Sequence, residues 1–257
     1  MPRINLNADL GEGYGPWTMG DDAAMLAIVN SANVACGGHA GDPDVMRLTL
    51  RLAQEHGVSI GAHPSYPDLR NFGRRAMALA PTELENQLAA QIGALIGIAA
   101  LQGVRVSHVK PHGALNNQAC VDRALADTIS MSIRAIDPAL ILLAPAASQL
   151  AAAGHAAGLA VVEEIFADRA YLPDGQLVPR SRPDAMIHGA AACLAHVRAM
   201  LDAGALIATD GTRIPTAIGS ICVHGDSPDA VAVARHLRDG LQAAGHRLAT
   251  LPELAAG

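Results

Sequence analysis

The sequence predicts a single-domain α/β protein, an irregular (β/α) barrel of about seven parallel strands that spans residues 1–257. Strand and helix patterns alternate about seven times, which is typical of parallel strands joined by crossover helices. Polar residues follow six of these strands, and their positions converge most easily if the sheet closes on itself. A doubly wound open sheet is the alternative, because both folds share this alternation.

The first half of the chain contains four predicted strands, at 3–9, 33–36, 58–62 and 104–109. Predicted helices cover 23–30, 43–56 and 81–102. Asp21 or Asp22 can cap the first helix, and Asp42-Pro43 provides a cap followed by proline in the first turn of the second. The irregular stretch 65–80 is long for a connection in a compact domain, so we expect it to form an ordered lid.

The second half continues the alternation. Strands are predicted at 139–143, 159–163 and 218–223, and helices at 121–135, up to 157, at 184–203 and up to 244. Thr209-Asp210-Gly211-Thr212 is typical of a hairpin turn within 206–215, and Ser227-Pro228 can cap the last helix.

Composition limits the classes of function. The formal net charge is −6 and only 16% of residues are charged, which argues against a nucleic-acid groove or an anionic membrane surface. We find no apolar run of about 18 residues and no signal peptide, and we expect a cytoplasmic protein. The four cysteines lack C-x-x-C spacing, which indicates reduced thiols.

Five of the eleven histidines fall at or just beyond strand ends, where α/β enzymes place their chemistry. They are His39, His63, His108, His112 and His224. The other six lie at helix boundaries or within helices, where a structural role is the simpler interpretation. Several imidazoles on one rim predict a functional cluster.

Lys110 lies in the segment 107–117, where His108, Lys110 and His112 occupy alternate positions as a strand ends. A buried ammonium group is costly unless it is paired, so Lys110 either stabilises an anion or forms an ion pair with Asp9 or Glu164. Asp9 and two histidines could also hold a divalent metal, although the pattern only suggests this. A thiol nucleophile at Cys36 or Cys222 is a further alternative.

Seven segments of the chain together resemble the LamB/YcsF family, in order and over nearly the whole length. They are Asn5–Gly15, Ser31–Pro43, Gly61–Pro64, Phe72–Arg75, Val109–Leu115, Phe166–Tyr171 and Cys222–Asp226. That family is identified with one subunit of bacterial 5-oxoprolinase. The resemblance implies an irregular barrel like that of polysaccharide deacetylases, ATP-dependent opening of 5-oxo-L-proline to L-glutamate, and two partner subunits, B and C.

The chain lacks the G-x-x-x-x-G-K-[ST] phosphate-binding motif, although ATP is expected as the co-substrate of the complex. We therefore expect the partners to activate the lactam and this chain to add water. The residues assigned to catalysis are Asp9, His39, His63, Lys110 and His112. Those assigned to substrate binding are Glu12, Asn33, Arg74, Glu164, Asp168, Arg169, Arg180 and His224. Whether a divalent metal takes part is left open.

Two other classes of function remain. One is a metal-dependent deacetylase of sugar substrates, which would act without ATP. The other is a non-catalytic metabolite-binding subunit, in which the polar rim would be dispensable.

Overall fold

The computed structural model, which describes residues 1–225 and 229–256, is a closed barrel of seven parallel strands surrounded by helices. The strands are β1 (Arg3–Leu10), β2 (Ser31–Ala35), β3 (Ser59–His63), β4 (Val106–Val109), β5 (Ile141–Pro145), β6 (Val161–Phe166), β7 (Ala205–Ile207), β8 (Arg213–Pro215), β9 (Ser220–Val223) and β10 (Arg247–Leu248). The helices are α1 (Asp22–Leu26), α2 (Pro43–Glu55), α3 (Pro81–Ala100), α4 (Gly113–Ala119), α5 (Arg123–Ile136), α6 (Gln149–Ala156), α7 (Ala190–Ala203), α8 (Ala230–Ala243) and α9 (Leu251–Ala255).

The sheet closes because β1 pairs with β2 on one side and with β9 on the other. The order around the barrel is β1-β2-β3-β4-β5-β6-β9, and every pairing in this ring is parallel. The predicted barrel is therefore confirmed, and the open doubly wound sheet is excluded. Strand β10 adds to the start of β1, while β7 and β8 form the predicted hairpin outside the barrel.

A layer of polar side chains lies inside the barrel, and the space between strands and helices is apolar. On β1, Asn5 and Asn7 hydrogen-bond to side chains of other strands, whereas Ile4 and Leu6 join the main hydrophobic core. Alternate residues of a strand face opposite sides of the sheet, so one strand serves both layers. This arrangement brings buried polar side chains to the centre of the barrel.

Helix α9 closes the amino-terminal mouth of the barrel. Its Leu251 packs with Ile141, Leu143 and Val162, and its backbone amide donates to Ser31 Oγ at 3.3 Å. Thr250 and Glu253 form a capping box that fixes the start of this short helix. The opposite mouth, at the carboxyl ends of the strands, remains open to the cavity described below.

Several boundaries differ from the sequence prediction, among them those of β6 and α7. Strand β6 continues to Phe166, so Glu164 lies within the strand instead of after it. Helix α7 begins at Ala190, not at Asp184, because the backbone of residues 185–187 pairs with that of residues 168–170. The sequence did not predict α4, β10 or α9, and the cap predicted at Ser227-Pro228 lies outside the described residues.

Within residues 1–225 and 229–256, no helix has the length and apolar character that crossing a membrane requires. All four cysteines are free and buried. Burial raises the pKa of the Cys36 thiol to about 12 and that of Cys222 well above its ordinary value, which argues against either as a thiolate nucleophile.

Candidate active site

One cavity of about 530 Å³ opens at the carboxyl ends of the strands, a volume suited to a small-molecule ligand. Nine residues predicted from the sequence lie on its wall: Asp9, Glu12, His63, Arg74, Lys110, His112, Arg169, Arg180 and His224. The other four, His39, Asn33, Glu164 and Asp168, lie behind the wall, and each hydrogen-bonds or ion-pairs with a wall residue. The structure thus brings all thirteen predicted residues together around one cavity, with these four one layer behind its wall.

Lys110, the only lysine in the chain, lies at the centre of the site with 2% of its surface exposed. Its Nζ lies 3.1 Å from both Asp9 Oδ1 and Glu164 Oε2. It also donates to Cys222 Sγ at 3.1 Å. The ion pairs anticipated for Lys110 with Asp9 or Glu164 therefore both form.

These contacts set the charges of the three groups. Burial alone would lower the pKa of Lys110, but the attraction of Asp9, Cys222 and Glu164 holds that pKa well above its ordinary value. Burial would raise the pKa of Asp9, but His63 and Lys110 outweigh it and hold that pKa well below the usual range. Burial raises the pKa of Glu164. Lys110 offsets this rise only in part, since it also pairs with Asp9, whose negative charge raises the pKa of Glu164 further. Asp9 is therefore the firmly ionised carboxylate, and Glu164 accepts a proton more easily.

Asn33 lies beneath the cavity, behind Asp9, and does not line the cavity wall. Its Nδ2 donates to Asp9 Oδ1 at 2.8 Å and its Oδ1 accepts from His108 Nε2 at 3.1 Å. Burial lowers the pKa of His108 to about 3, so this imidazole is neutral at pH 7 and serves as a buried hydrogen-bond partner of Asn33. Asn7 similarly donates to Glu164 Oε2 at 3.1 Å. On β1, Asn5, Asn7 and Asp9 occupy alternate positions and therefore share the face of the strand that carries this polar layer.

Three imidazoles and a carboxylate form a cluster beside Asp9, which we term the imidazole cluster: Glu12, His39, His63 and His112. One potential ligand atom from each lies within 4.8 Å of those of the others, so these residues could hold a metal ion. His39 stacks on His112 with ring centroids 3.6 Å apart, and its Nε2 lies 3.0 Å from Glu12 Oε1. Burial lowers the pKa of His39 and His112 well below the ordinary value, so both rings are neutral at pH 7.

The predicted lid contributes Phe72 to this cluster. The Phe72 ring lies edge-on to His39 and His112, and its carbonyl accepts a 2.9 Å hydrogen bond from His112 Nε2. Its φ of 55° is unusual for a bulky residue. This conformation directs the backbone carbonyl towards the imidazole, so the segment 65–80 fixes the orientation of a rim histidine.

Three arginines also contribute to the cavity wall. Arg74, Arg169 and Arg180 line the cavity, and Arg169 is 5% exposed. Arg169 Nη2 donates to Val178 O at 2.8 Å, while its buried Nε has no hydrogen-bond partner among the residues described. Burial and the Arg180 guanidinium lower the pKa of Arg169 to about 10, which leaves it cationic at neutral pH. Such a group of guanidinium ions suits an anionic ligand.

His224 forms an ion pair with Asp168 at 2.9 Å and stacks on Phe166. Burial opposes the charge on both groups, but their attraction raises the pKa of His224 and lowers that of Asp168. Asp168 therefore orients His224 from behind instead of lining the cavity.

The LamB/YcsF family profile matches residues 4–256. A protein of Azoarcus sp. strain BH72, named as the A subunit of 5-oxoprolinase, is 57% identical over 254 residues, which cover 99% of each chain. A protein of Methylococcus capsulatus with the same name is 55% identical and covers 96% of this chain and 95% of its own.

Two solved structures are also similar to this chain. A lactam utilization protein from Thermus thermophilus is 41% identical, with a TM-score of 0.90 over 97% of this chain and 100% of its own. The catalytic domain of a peptidoglycan N-acetylglucosamine deacetylase from Eubacterium rectale has a TM-score of 0.51 at 12% identity, over 96% of this chain and 87% of its own, and shares the fold alone.

Proposed function

Since the chain belongs to the LamB/YcsF family, we propose that it is the subunit of an ATP-dependent 5-oxoprolinase that opens the lactam of 5-oxo-L-proline to give L-glutamate. Relatives named as the A subunit of 5-oxoprolinase share 57% and 55% of their residues with it over nearly their full lengths. Their designation as one subunit supports the expectation of partners, which we assign as subunits B and C, with ATP as the co-substrate of the complex.

The observation that carries this proposal is the composition of the cavity wall. Asp9, Glu12, His63 and His112 line the same cavity as the three arginines Arg74, Arg169 and Arg180. The carboxylate of 5-oxoproline, and a phosphoryl group on its activated form, would be held by Arg74, Arg169 and Arg180. The ring carbonyl carbon would then lie near Asp9, where water is to be activated.

Asp9 is the best candidate for the group that accepts the proton of water. Its Oδ1 is held by Asn33 and Lys110, which leaves Oδ2 on the side of His63, at 3.4 Å from Nε2. A carboxylate with a lowered pKa is a weak general base. Water that is activated by a weak base attacks a resonance-stabilised amide slowly, so this site suits a lactam that has already been activated.

In the proposed reaction, water adds to the ring carbon whose oxygen carries the phosphoryl group, and Asp9 takes a proton from that water. The ring carbon–nitrogen bond breaks, and the nitrogen takes up a proton to become the amino group of glutamate. A second water releases phosphate from the resulting acyl phosphate. Lys110 keeps Asp9 ionised between turnovers because it lies 3.1 Å from Oδ1.

Reconstitution tests this function. The chain alone, the candidate partner subunits alone, and the full set are each incubated with ATP and labelled 5-oxoproline, and glutamate is measured. We expect glutamate only from the full set. Glutamate from the partners without this chain would contradict the proposal, and acetate release from N-acetylated sugars by the chain alone, without ATP, would favour the deacetylase alternative.

Arginine substitutions test the binding wall. In the reconstituted complex we expect Arg180→Met to raise the KM for 5-oxoproline by about 10-fold or more, because it removes a charge that faces the substrate anion. Arg182→Met is the matched control, since Arg182 pairs with Asp184 on the exposed surface. Equal KM values for both variants would remove Arg180 from the binding site.

A further inference from the structure

The hydrogen bonds of two imidazoles in the cluster determine which nitrogens carry protons. His63 Nδ1 lies 2.6 Å from the carbonyl oxygen of Lys110, and His112 Nε2 lies 2.9 Å from that of Phe72. A carbonyl oxygen can only accept, so both of these nitrogens are N–H donors. A ring that carries only this one proton leaves its other nitrogen, His63 Nε2 or His112 Nδ1, with a bare lone pair.

These two nitrogens face each other at 3.0 Å. Neither neutral ring offers a proton to the other, so the contact is repulsive unless a positive group lies beside it. Glu12 Oε1 lies 3.6 Å from His112 Nδ1, and Asp9 Oδ2 lies 3.4 Å from His63 Nε2. Four electron-donating atoms thus converge on one small volume at the edge of the cavity.

We propose that His63 Nε2, His112 Nδ1 and the Glu12 carboxylate bind one divalent transition-metal ion, for which Zn²⁺ is the best candidate. Two imidazoles and one carboxylate are a ligand set that zinc accepts, and three protein ligands leave a coordination position open. Ligand atoms at ~2.0–2.1 Å from a tetrahedral ion lie roughly 3.3 Å apart. The observed separations of 3.0 Å and 3.6 Å lie on either side of that value.

The surroundings of the two imidazoles match those of metal ligands. A metal-bound histidine usually donates its second ring N–H to a backbone carbonyl or a carboxylate, which fixes its tautomer and orientation. Both His63 and His112 do this. A single proton between the two nitrogens would satisfy only their mutual contact, whereas a metal ion would also engage Glu12.

His39 acts as a positioning residue in this arrangement. Its ring is parallel to that of His112 within 3°, at 3.6 Å, so an ion in the plane of the His112 ring lies outside the plane of His39. Its Nε2 instead lies 3.0 Å from Glu12 Oε1 and can orient that carboxylate. A bound ion would supply a water of lowered pKa, next to the carboxylate of Asp9.

Metal binding by the chain alone tests this inference separately from the proposed function, since neither substrate nor partners are needed. The purified chain is stripped with a chelator and titrated with Zn²⁺, and the bound metal is counted by mass spectrometry. We expect one equivalent per chain. We expect His112→Gln and Glu12→Gln to weaken binding at least ~100-fold, and His39→Gln to weaken it ~10–100-fold as a loss of orientation.

His224→Gln is the matched control, because it removes another imidazole from the same cavity and should retain zinc affinity. Titration of the unaltered chain with Co²⁺ provides a second measurement that does not depend on folding of a variant, since a low-coordinate nitrogen–oxygen site gives intense visible absorption. A folded chain that binds no stoichiometric metal, or a His112→Gln variant that binds as tightly as the unaltered chain, would overturn the inference. In that case a proton joins the two rings.

Discussion

Replacement of Lys110 by methionine tests whether one buried ammonium group holds the centre of the site together. Methionine preserves much of the bulk of the lysine side chain but removes its charge. Asp9 and Glu164 would each lose a cation at 3.1 Å. The hydrogen bonds from Asn33 and Asn7 would remain, but they do not neutralise a carboxylate.

The magnitude follows from these distances. At 3.1 Å and an effective dielectric constant of about 20, each contact has a gross attraction of about 5 kcal/mol. Breaking a buried ion pair typically destabilises a protein by about 3–5 kcal/mol. We expect a loss in this range, and not twice as much, because the pKa of Glu164 is already raised and its carboxyl can take up a proton.

The loss depends on pH. In the variant, Glu164 has a folded-state pKa further above its unfolded value, so the folded state binds an extra proton between these two pKa values. Stability in that window falls as the pH rises, by up to about 1.4 kcal/mol per pH unit. The gap between the unaltered chain and Lys110→Met should therefore widen from pH 5 to pH 8.

Thermal unfolding at several pH values measures this gap. A loss of about 3–5 kcal/mol corresponds to a decrease in Tm of roughly 6–20 °C for a chain of this size. Adding Glu164→Gln to Lys110→Met should recover part of the loss and flatten its pH dependence. Arg123→Met is the surface control, because its pair with Asp127 is half exposed and should contribute less than about 1 kcal/mol.

Two results would refute this reasoning. One is a Lys110→Met variant within about 1 kcal/mol of the unaltered chain at pH 8, since that would mean the ion pairs are not formed. The other is deprotonation of Lys110 below pH 10, because the pKa of this group is raised. Nuclear magnetic resonance can detect it, since selective labelling of lysine gives a single side-chain signal from Lys110, the only lysine in the sequence.

Three further predictions concern packing and charge around the barrel. Gly61→Ala should lower the Tm by roughly 6–12 °C, because the added methyl group would overlap the buried His108 ring, at a cost of about 3 kcal/mol. Tyr171→Phe should cost about 1–3 kcal/mol in urea unfolding, because it leaves a buried backbone amide without its 2.8 Å acceptor. His224→Gln should show its largest loss of Tm between about pH 4 and 6.5 and little loss at pH 9. Because the folded-state pKa of His224 is raised, protonated His224 stabilises the fold below the unfolded-state pKa of histidine, and this stabilisation is lost as the pH rises through the folded-state pKa. At acid pH the stabilisation ends when Asp168, whose pKa is lowered, takes up a proton. A difference in Tm that does not change with pH would contradict the last prediction.

The sequence was sufficient to locate the site because the fold is made of parallel strands. Their carboxyl ends meet at one mouth, so polar residues that follow different strands become neighbours. Asp9, His63 and Lys110 come together for this reason, although Lys110 is 101 positions away from Asp9. Local patterns were enough to locate the strand ends other than that of β6, and the parallel topology brings these ends together.

The layering of the site could not be predicted, because it depends on contacts between distant strands. Glu164 is followed by Ile165 and Phe166, which continue the strand and place the carboxylate inside the barrel. The ion pair with Lys110 and the hydrogen bond from Asn7 make a buried glutamate tolerable there. Asn33 likewise looks like a rim residue in the sequence, yet it is fully buried beneath Asp9.

The closure of the amino-terminal mouth was also invisible in the sequence. Strand β10 has two residues and α9 has five, which is too short for a hydrophobic period to be recognised. Their position is fixed by Leu251 packing into the barrel and by backbone pairing with β1.

Single-turnover opening of the activated lactam by an Asp9→Asn variant is the most direct test of the proposed chemistry. Glutamate is measured in the reconstituted complex with ATP and labelled 5-oxoproline, and Asp44→Asn on the exposed start of α2 is the matched control. We predict that Asp9→Asn lowers the rate by about 10²–10⁴-fold, the usual contribution of a general base, while substrate binding changes little. A folded Asp9→Asn variant that forms glutamate at the rate of the control would contradict the role of this carboxylate.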